Sequence, residues 1–306
     1  LRRAPGGVAA ARASDAVSLG TEAALLGATT RAGVRVPQVL HVSPPGSALG
    51  EAFVMRRVAG ETLGRKILRD EEFRLARTRL TQDCGEALAG IHAVPTGDLT
   101  MLPRSLGADQ IAKYEAIYRG FGLPRPVLEL AFAWLKSNTP AAAAPVLVHG
   151  DFRLGNLIVD EGGLGAVLDW ELAHIGDPRE DIAWLCVNSW RFGHSEKRVG
   201  GFGDLPELLD AYAAGLNHYA DKHPDEVRLT GAEGLVGRGV EAALPLLLPT
   251  GLQRRGPRGV GRHVAALVDR RRRAPAHPGP QAHVRVHGAA AARRLRSRDR
   301  RGPRRG

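Results

Sequence analysis

The run Val148-His149-Gly150-Asp151-Phe152-Arg153-Leu154-Gly155-Asn156, followed by Leu168-Asp169-Trp170, sets three oxygen-bearing side chains at fixed intervals. Asn156 lies five residues after Asp151, and Asp169 eighteen after it. Moving a phosphoryl group from a nucleoside triphosphate to a hydroxyl asks for such a set. One carboxylate must take the proton of the attacking hydroxyl, and oxygen ligands must hold magnesium against the phosphates. Magnesium prefers hard oxygen donors, so Asp and Asn suit it and Cys does not.

The surrounding pattern can position these residues. Val146-Leu147-Val148 is a short apolar run and reads as a buried strand. Residues 151–156 then form a loop, Leu157-Ile158-Val159 a second strand, residues 160–163 a turn and Ala166-Val167-Leu168 a third strand. A hairpin of this size returns Asp169 to the side of the loop that holds Asp151 and Asn156. Taken singly, an Asp in a loop is a solvated or turn-forming residue; the joint pattern is what points to chemistry. Nearby, Asp177-Pro178 reads as a turn or helix entry, and Glu171 fits either a metal shell or a helix start. His174 and His194 read as ordinary polar residues. Cys84 and Cys186 lie in apolar helical patterns and read as buried thiols.

From His149 to Asp181 the chain resembles the aminoglycoside phosphotransferase family, a branch of the protein-kinase-like fold. The form Asp169-Trp170-Glu171, with Gly176-Asp177-Pro178 and Asp181 after it, is similar to the subgroup whose kinase domains are fused to, or work beside, acyl-CoA dehydrogenases. The resemblance implies Asp151 as catalytic base and Asn156 and Asp169 as magnesium ligands, with ATP as donor. It places Arg153 where a basic residue touches the transferred phosphate, although a basic loop residue can also simply face water. Asp181 matches a buried Asp that bonds the backbone of the catalytic loop, and His149 would brace that loop.

The first third carries the same resemblance. Thr21-Glu22-Ala23-Ala24-Leu25-Leu26 is a good helix former. In the family a helix Glu pairs with a basic strand residue that grips the phosphates; Glu22 and Arg2 are the matching positions, although a surface Glu on a helix would look the same. Residues 34–39 and Phe53-Val54-Met55 read as strands. The following segment, 56–61, resembles the hinge where adenine is held, so Met55 and Arg56 join the nucleotide-binding candidates. The family's glycine-rich hairpin precedes the basic strand, whereas here Gly6-Gly7 follows Arg2. The expectation is an incomplete N-terminal lobe over residues 1–60 in a chain that opens inside its first domain.

Helical spacing of Leu80, Cys84, Leu88 and Ile91 predicts a helix over 71–92, with others over 109–118, 125–137, 181–190 and 205–220. Pro206 suits a first turn. Their apolar faces are expected to bury a core, completing an α+β fold of the protein-kinase-like, two-lobed kind with a helical C-terminal lobe over 61–235.

Composition breaks after that lobe. From Arg238 onward there are 18 Arg, no Lys and three acidic residues, a surplus of +15 against +11 for the whole chain. The last aromatic residue is Tyr219. So few apolar anchors predict a disordered basic tail over 236–306. It could be an arm that neutralises nucleic-acid phosphates, an inert extension, or an out-of-frame product of GC-rich coding DNA; the loss of Lys, Ile and aromatics where C-lobe helices are needed favours the last.

Residues 66–235 hold 17 Lys/Arg and 25 Asp/Glu. This acidic balance suits a cationic aminoglycoside or any magnesium site, whereas the Asp-Trp-Glu form leans toward a hydroxyacyl-CoA or another metabolic alcohol as the small-molecule partner. No apolar run approaches the roughly 18 residues of a membrane helix, and two Cys make no disulfide framework, so a cytoplasmic setting is expected. Two functions follow: an ATP- and magnesium-dependent kinase acting on a small-molecule hydroxyl, or a non-catalytic kinase-like remnant, with nucleic acid reached only through the tail.

Overall fold

A computed structural model describes residues 1–3, 16–44 and 46–223. The tail, with the disorder, nucleic-acid and reading-frame expectations placed on it, lies outside the described residues.

The first elements form a small antiparallel sheet against one helix. Strands β1 (Arg2–Arg3), β2 (Val39–Val42) and β3 (Ala52–Met55) lie in the order β1-β3-β2. Helix α1 (Leu19–Arg31) starts at Ser18, whose hydroxyl accepts the Thr21 amide at 3.0 Å, satisfying one of the orphan amides of the first turn. The face bearing Glu22, Leu25 and Leu26 is buried. The strand expected over 34–39 is displaced: only Val39 is paired. Pro37 has no amide proton to give a ladder, and Val34 is buried in the core instead.

Helix α2 (Gly64–Arg69) and a 3-10 turn (Glu71–Phe73) lead into α3 (Arg74–Ala93), the central helix of the core. Its buried Ala76, Leu80, Cys84, Leu88 and Ile91 recur at three- and four-residue steps, as the spacing predicts. Helix α7 (Leu205–Lys222) packs along it. At the contact, a Cβ placed on Gly85 would lie 2.6 Å from the Ala211 Cβ and 2.8 Å from the Leu208 carbonyl. The two helices therefore meet backbone to backbone there.

The pair α4 (Gly107–Gly120) and α5 (Pro126–Asn138) departs from expectation. None of the α5 residues is buried, and Trp134 is 61% exposed. The Tyr118 ring stacks on Phe132 at 5.6 Å, and polar contacts tie the pair further, with the Tyr118 hydroxyl donating to Glu129 at 2.7 Å and Lys136 pairing with Glu115.

Strand β4 (Val146–Val148) pairs with β7 (His174–Gly176), a strand the sequence reading did not anticipate. Between them β5 (Leu157–Asp160) and β6 (Gly163–Val167) form the expected hairpin. Helix α6 (Arg179–Leu185) stops five residues short of the predicted 190. The Arg191 guanidinium takes the Cys186 carbonyl at 2.7 Å, which a longer helix would have offered to the amide four residues on; a 3-10 turn (Asn188–Arg191) follows. Cys186, at this end, is half-buried, whereas Cys84 is fully buried. Among the described residues no helix is long and apolar enough to cross a membrane.

Candidate active site

The loop after β4 is fixed from beneath. Gly150 has φ +83° and lies so close to the 3-10 turn Trp170–Leu172 that a Cβ would sit 2.5 Å from the Leu172 carbonyl. Only glycine combines that dihedral with that approach. The Asp181 carboxylate, fully buried in the first turn of α6, accepts the His149 amide at 2.8 Å and the Gly150 amide at 2.9 Å. It also faces the His92 Nε2 at 3.2 Å, and the His92 Nδ1 meets the Tyr212 hydroxyl at 2.9 Å. A chain of contacts thus runs from α7 through α3 and α6 to the loop. Burial alone would push the Asp181 carboxyl up; the hydrogen bond and charge of His92, with the His149 amide, outweigh it and hold it below the ordinary carboxylate range.

His149 braces the loop with both ring nitrogens. Its Nδ1 accepts the Asp151 amide at 3.2 Å, so the proton must sit on Nε2, which donates to the Leu168 carbonyl at 2.9 Å. That ring is neutral, in accord with a pKa pushed below its ordinary 6.5 by burial. His174 is the opposite case. It is buried, a correction to its reading as an ordinary polar residue; although burial lowers its pKa, the Glu180 carboxylate and the Leu172 carbonyl raise it further.

These shifts give a signed pH prediction. Below 6.5 the unfolded chain protonates its His149 and the folded one resists, so stability falls on acidification. Above 6.5 the folded chain keeps a proton on His174 that the unfolded chain releases, so that contribution is lost as pH rises through the raised value. Urea midpoints should therefore peak near pH 6.5, with His174→Gln flattening the alkaline limb. A midpoint that climbs steadily from pH 5 to 8 would contradict this.

The Asp151 side chain is held on two edges. Its Oδ1 accepts the Arg153 Nε at 2.9 Å and the Trp184 indole Nε1 at 2.7 Å; its Oδ2 accepts the Asn156 Nδ2 at 2.6 Å. The same amide nitrogen donates to the Asp151 carbonyl at 2.9 Å. With both neighbours acceptors, Nδ2 must face Asp151, and among the described residues the Asn156 Oδ1 accepts no hydrogen bond. Arg153 lies over the Trp190 ring at 4.4 Å, and Trp190 packs edge-on to Trp184. Arg153 is thus turned onto Asp151 and the Trp190 indole.

Asp169 ends the hairpin in a left-handed conformation, φ 66°, an uncommon state that Asp tolerates better than most residues. The Leu168 amide donates to the Asn156 carbonyl at 2.8 Å, which sets the two oxygen-bearing residues side by side. The Asp169 Oδ1 accepts the Arg2 Nη2 at 2.7 Å. The same guanidinium reaches both Glu22 oxygens, at 3.2 and 3.3 Å, and Glu171 at 3.5 Å. Partial burial would lower the Arg2 pKa, but Glu22 and Asp169 raise it beyond its already high value. Glu171 itself lies in a 3-10 turn (Trp170–Leu172). Asp177 serves the turn before α6, its Oδ1 accepting the Arg179 amide at 3.0 Å.

The structure thus gathers His149, Asp151, Arg153, Asn156 and Asp181 around the loop, and Arg2, Glu22 and Asp169 beside it. Met55 and Arg56 sit at the end of β3, with no hydrogen bond to either group among the described residues. The Arg56 amide donates to the Gln38 carbonyl at 2.8 Å. Sequence reasoning missed Trp184, Trp190, His92 and Tyr212. A signal existed for the first: Trp184 follows Asp181 by three residues, one turn along the same helix face.

Three comparisons bear on this site. The family model of the "Phosphotransferase enzyme family" matches residues 1–229. Acyl-CoA dehydrogenase family member 10 of Mus musculus is 28% identical over 194 residues, 61% of this chain but only 18% of that protein's length; aminoglycoside 3'-phosphotransferase of Escherichia coli is 36% identical over 66 residues, 21% of this chain and 24% of the enzyme. A solved structure from Ralstonia eutropha, a candidate aminoglycoside phosphotransferase, superposes with a TM-score of 0.52 at 21% identity, covering 77% of each chain. That likeness concerns the fold, which is mixed α+β and kinase-like.

Proposed function

The chain belongs to the phosphotransferase enzyme family, and from that premise we propose that it moves the γ-phosphoryl group of ATP onto a hydroxyl of a small molecule, with Asp151 taking the proton. The observation that carries this reading is one run of contacts: Asp151 to Asn156, Asn156 to Leu168 beside Asp169, Asp169 to Arg2 and Arg2 to Glu22. It joins a base, two oxygen donors and an anchored cation, the parts phosphoryl transfer needs.

The donor set suits magnesium. Asn156 presents Oδ1, and among the described residues the Asp169 Oδ2 has no donor upon it; both are hard oxygens. No group of three His, Cys, Asp or Glu side chains is placed to hold a metal among the described residues, so an ion held by Asn156 and Asp169 would complete its shell with phosphate oxygens and water. When bound, such an ion neutralises phosphate charge. The protein's part is positioning. Asp181 and His149 set the loop, Asn156 orients the base, and Glu22 keeps the Arg2 guanidinium at the phosphate side. Arg2→Ala should raise the KM for Mg·ATP about tenfold, the scale of one lost charge-assisted contact; an unchanged KM in initial-rate assays would remove Arg2 from the nucleotide site.

Within the family, we place the chain with the phosphotransferase domains associated with acyl-CoA dehydrogenases. Asp169-Trp170-Glu171 and the similarity to the mouse protein support this, and a hydroxyacyl-CoA or another metabolic alcohol is then the acceptor. ADP release should be followed with Mg·ATP and a panel of hydroxyacyl-CoAs, simple alcohols and aminoglycosides. We expect a slow release with water alone that one panel member speeds severalfold and that stops with chelator. No acceptor-dependent release from any member would sink the proposal.

A further inference from the structure

Helix α6 touches the catalytic loop twice. Asp181, in its first turn, holds the loop's backbone amides. Trp184, one turn on, reaches past the backbone and donates its indole proton to the Asp151 Oδ1 at 2.7 Å. The Arg153 Nε donates to the same oxygen. A carboxylate oxygen has two in-plane lone pairs. On Oδ1 both are spoken for; on Oδ2 Asn156 takes one, and the other is open among the described residues.

We propose that Trp184 is a positioning residue for phosphoryl transfer: with Arg153 it fills the Oδ1 edge of Asp151, so that Oδ2 presents the open lone pair to the acceptor hydroxyl. This rests on the reading of Asp151 as the base. In the transfer, the acceptor oxygen bonds the γ-phosphorus and its proton passes to the Asp151 Oδ2. The bond from that phosphorus to the β–γ bridging oxygen breaks, and its electron pair leaves with the diphosphate. Free rotation of the carboxylate would let either oxygen, in either direction, face the hydroxyl; two donors on one edge remove that freedom before the acceptor arrives. The clamp is itself supported, because the Arg153 guanidinium lies over Trp190 and Trp190 packs on Trp184. Trp184 is 37% exposed, so its ring serves the loop at the protein surface and is not needed to fill the core.

The test compares the full chain with Trp184→Phe, Trp184→His and Asp151→Asn, using Mg·ATP with water as the acceptor and release of inorganic phosphate as readout. Phe keeps the ring contact with Trp190 and lacks the donor; His restores a ring N–H at nearly the same reach. We expect Trp184→Phe to lower kcat about tenfold, as one charge-assisted hydrogen bond implies, with the KM for Mg·ATP within about twofold. Trp184→His should recover most of that loss. If Trp184→Phe turns over at the wild-type rate while Asp151→Asn is inactive, the positioning role is wrong and the base assignment stands. Equal loss in Trp184→Phe and Trp184→His, or loss through KM alone, also overturns it. Should Asp151→Asn match the wild type, or the wild type release no phosphate, the base assignment falls and the positioning role falls with it.

Discussion

Asp151→Asn is expected to lower kcat about a thousandfold, the range of a lost general base, and to raise the magnesium concentration needed for half-maximal rate. The second effect follows from the hydrogen bonds. In the native loop the Asn156 Nδ2 points at the Asp151 Oδ2, 2.6 Å away. An amide at 151 that keeps its oxygen toward Arg153 and Trp184 must turn its own NH2 toward Asn156, donor against donor. If Asn156 rotates by half a turn, it relieves that clash at the cost of its bond to the residue-151 carbonyl; its Oδ1 then meets the residue-151 NH2 and its own NH2 turns to where the cation ligand had been. One isosteric change thus removes the base and spoils an oxygen ligand. Rates measured across a magnesium titration separate the two: a thousandfold loss with an unchanged magnesium midpoint would show that Asn156 has not turned, and a variant retaining a tenth of wild-type kcat would deny Asp151 its role.

The largest effect on stability is expected from Asp181→Ala, about 3–5 kcal/mol in urea unfolding. Its carboxylate is wholly buried, and three donors converge on it: the His149 amide, the Gly150 amide and the His92 ring. Alanine leaves all three facing apolar surroundings with no water to replace the lost oxygens. Asp181→Asn is the sharper variant, because it keeps the volume and still turns an NH2 toward a donor. Its cost should approach that of alanine. If Asp181→Asn unfolds within about 1 kcal/mol of the wild type, the network is not the foundation of the loop.

Much of the loop was legible from the chain because its determinants are local. Short apolar runs divided by Gly and Asp mark β4, β5 and β6, and a hairpin returns its ends to each other by geometry alone. What escaped was set by distant partners. Strand β7 exists because Val146–Val148 needs a neighbour, and nothing in His174-Ile175-Gly176 announces it. The end of α6 is fixed by Arg191, six residues beyond the last helical turn, capturing a carbonyl. Helix α5 has the composition of a buried helix, with Leu, Ala, Phe and Trp134, yet it lies exposed; composition records what a face can bury, and says nothing of what is there to bury it. The ring of Trp184 could be placed on the face of Asp181 by counting, but its bond to Asp151 depends on how far the loop is drawn toward α6. Glu22 and Arg2, twenty residues apart, were matched by family likeness, and the structure sets them within hydrogen-bonding distance.

The seam at Gly85 has a consequence for inheritance. Every missense change at that codon adds at least a methyl group, and the methyl would meet the Ala211 Cβ, the Leu208 carbonyl and, at 2.9 Å, the Tyr212 nitrogen. No replacement at this position is mild. The residue displaced is also the one whose hydroxyl meets His92, which in turn faces Asp181. Deep mutational scanning should therefore find codon 85 among the most intolerant in the gene, with surviving alleles impaired in turnover although the affected helix contact contains no reactive group.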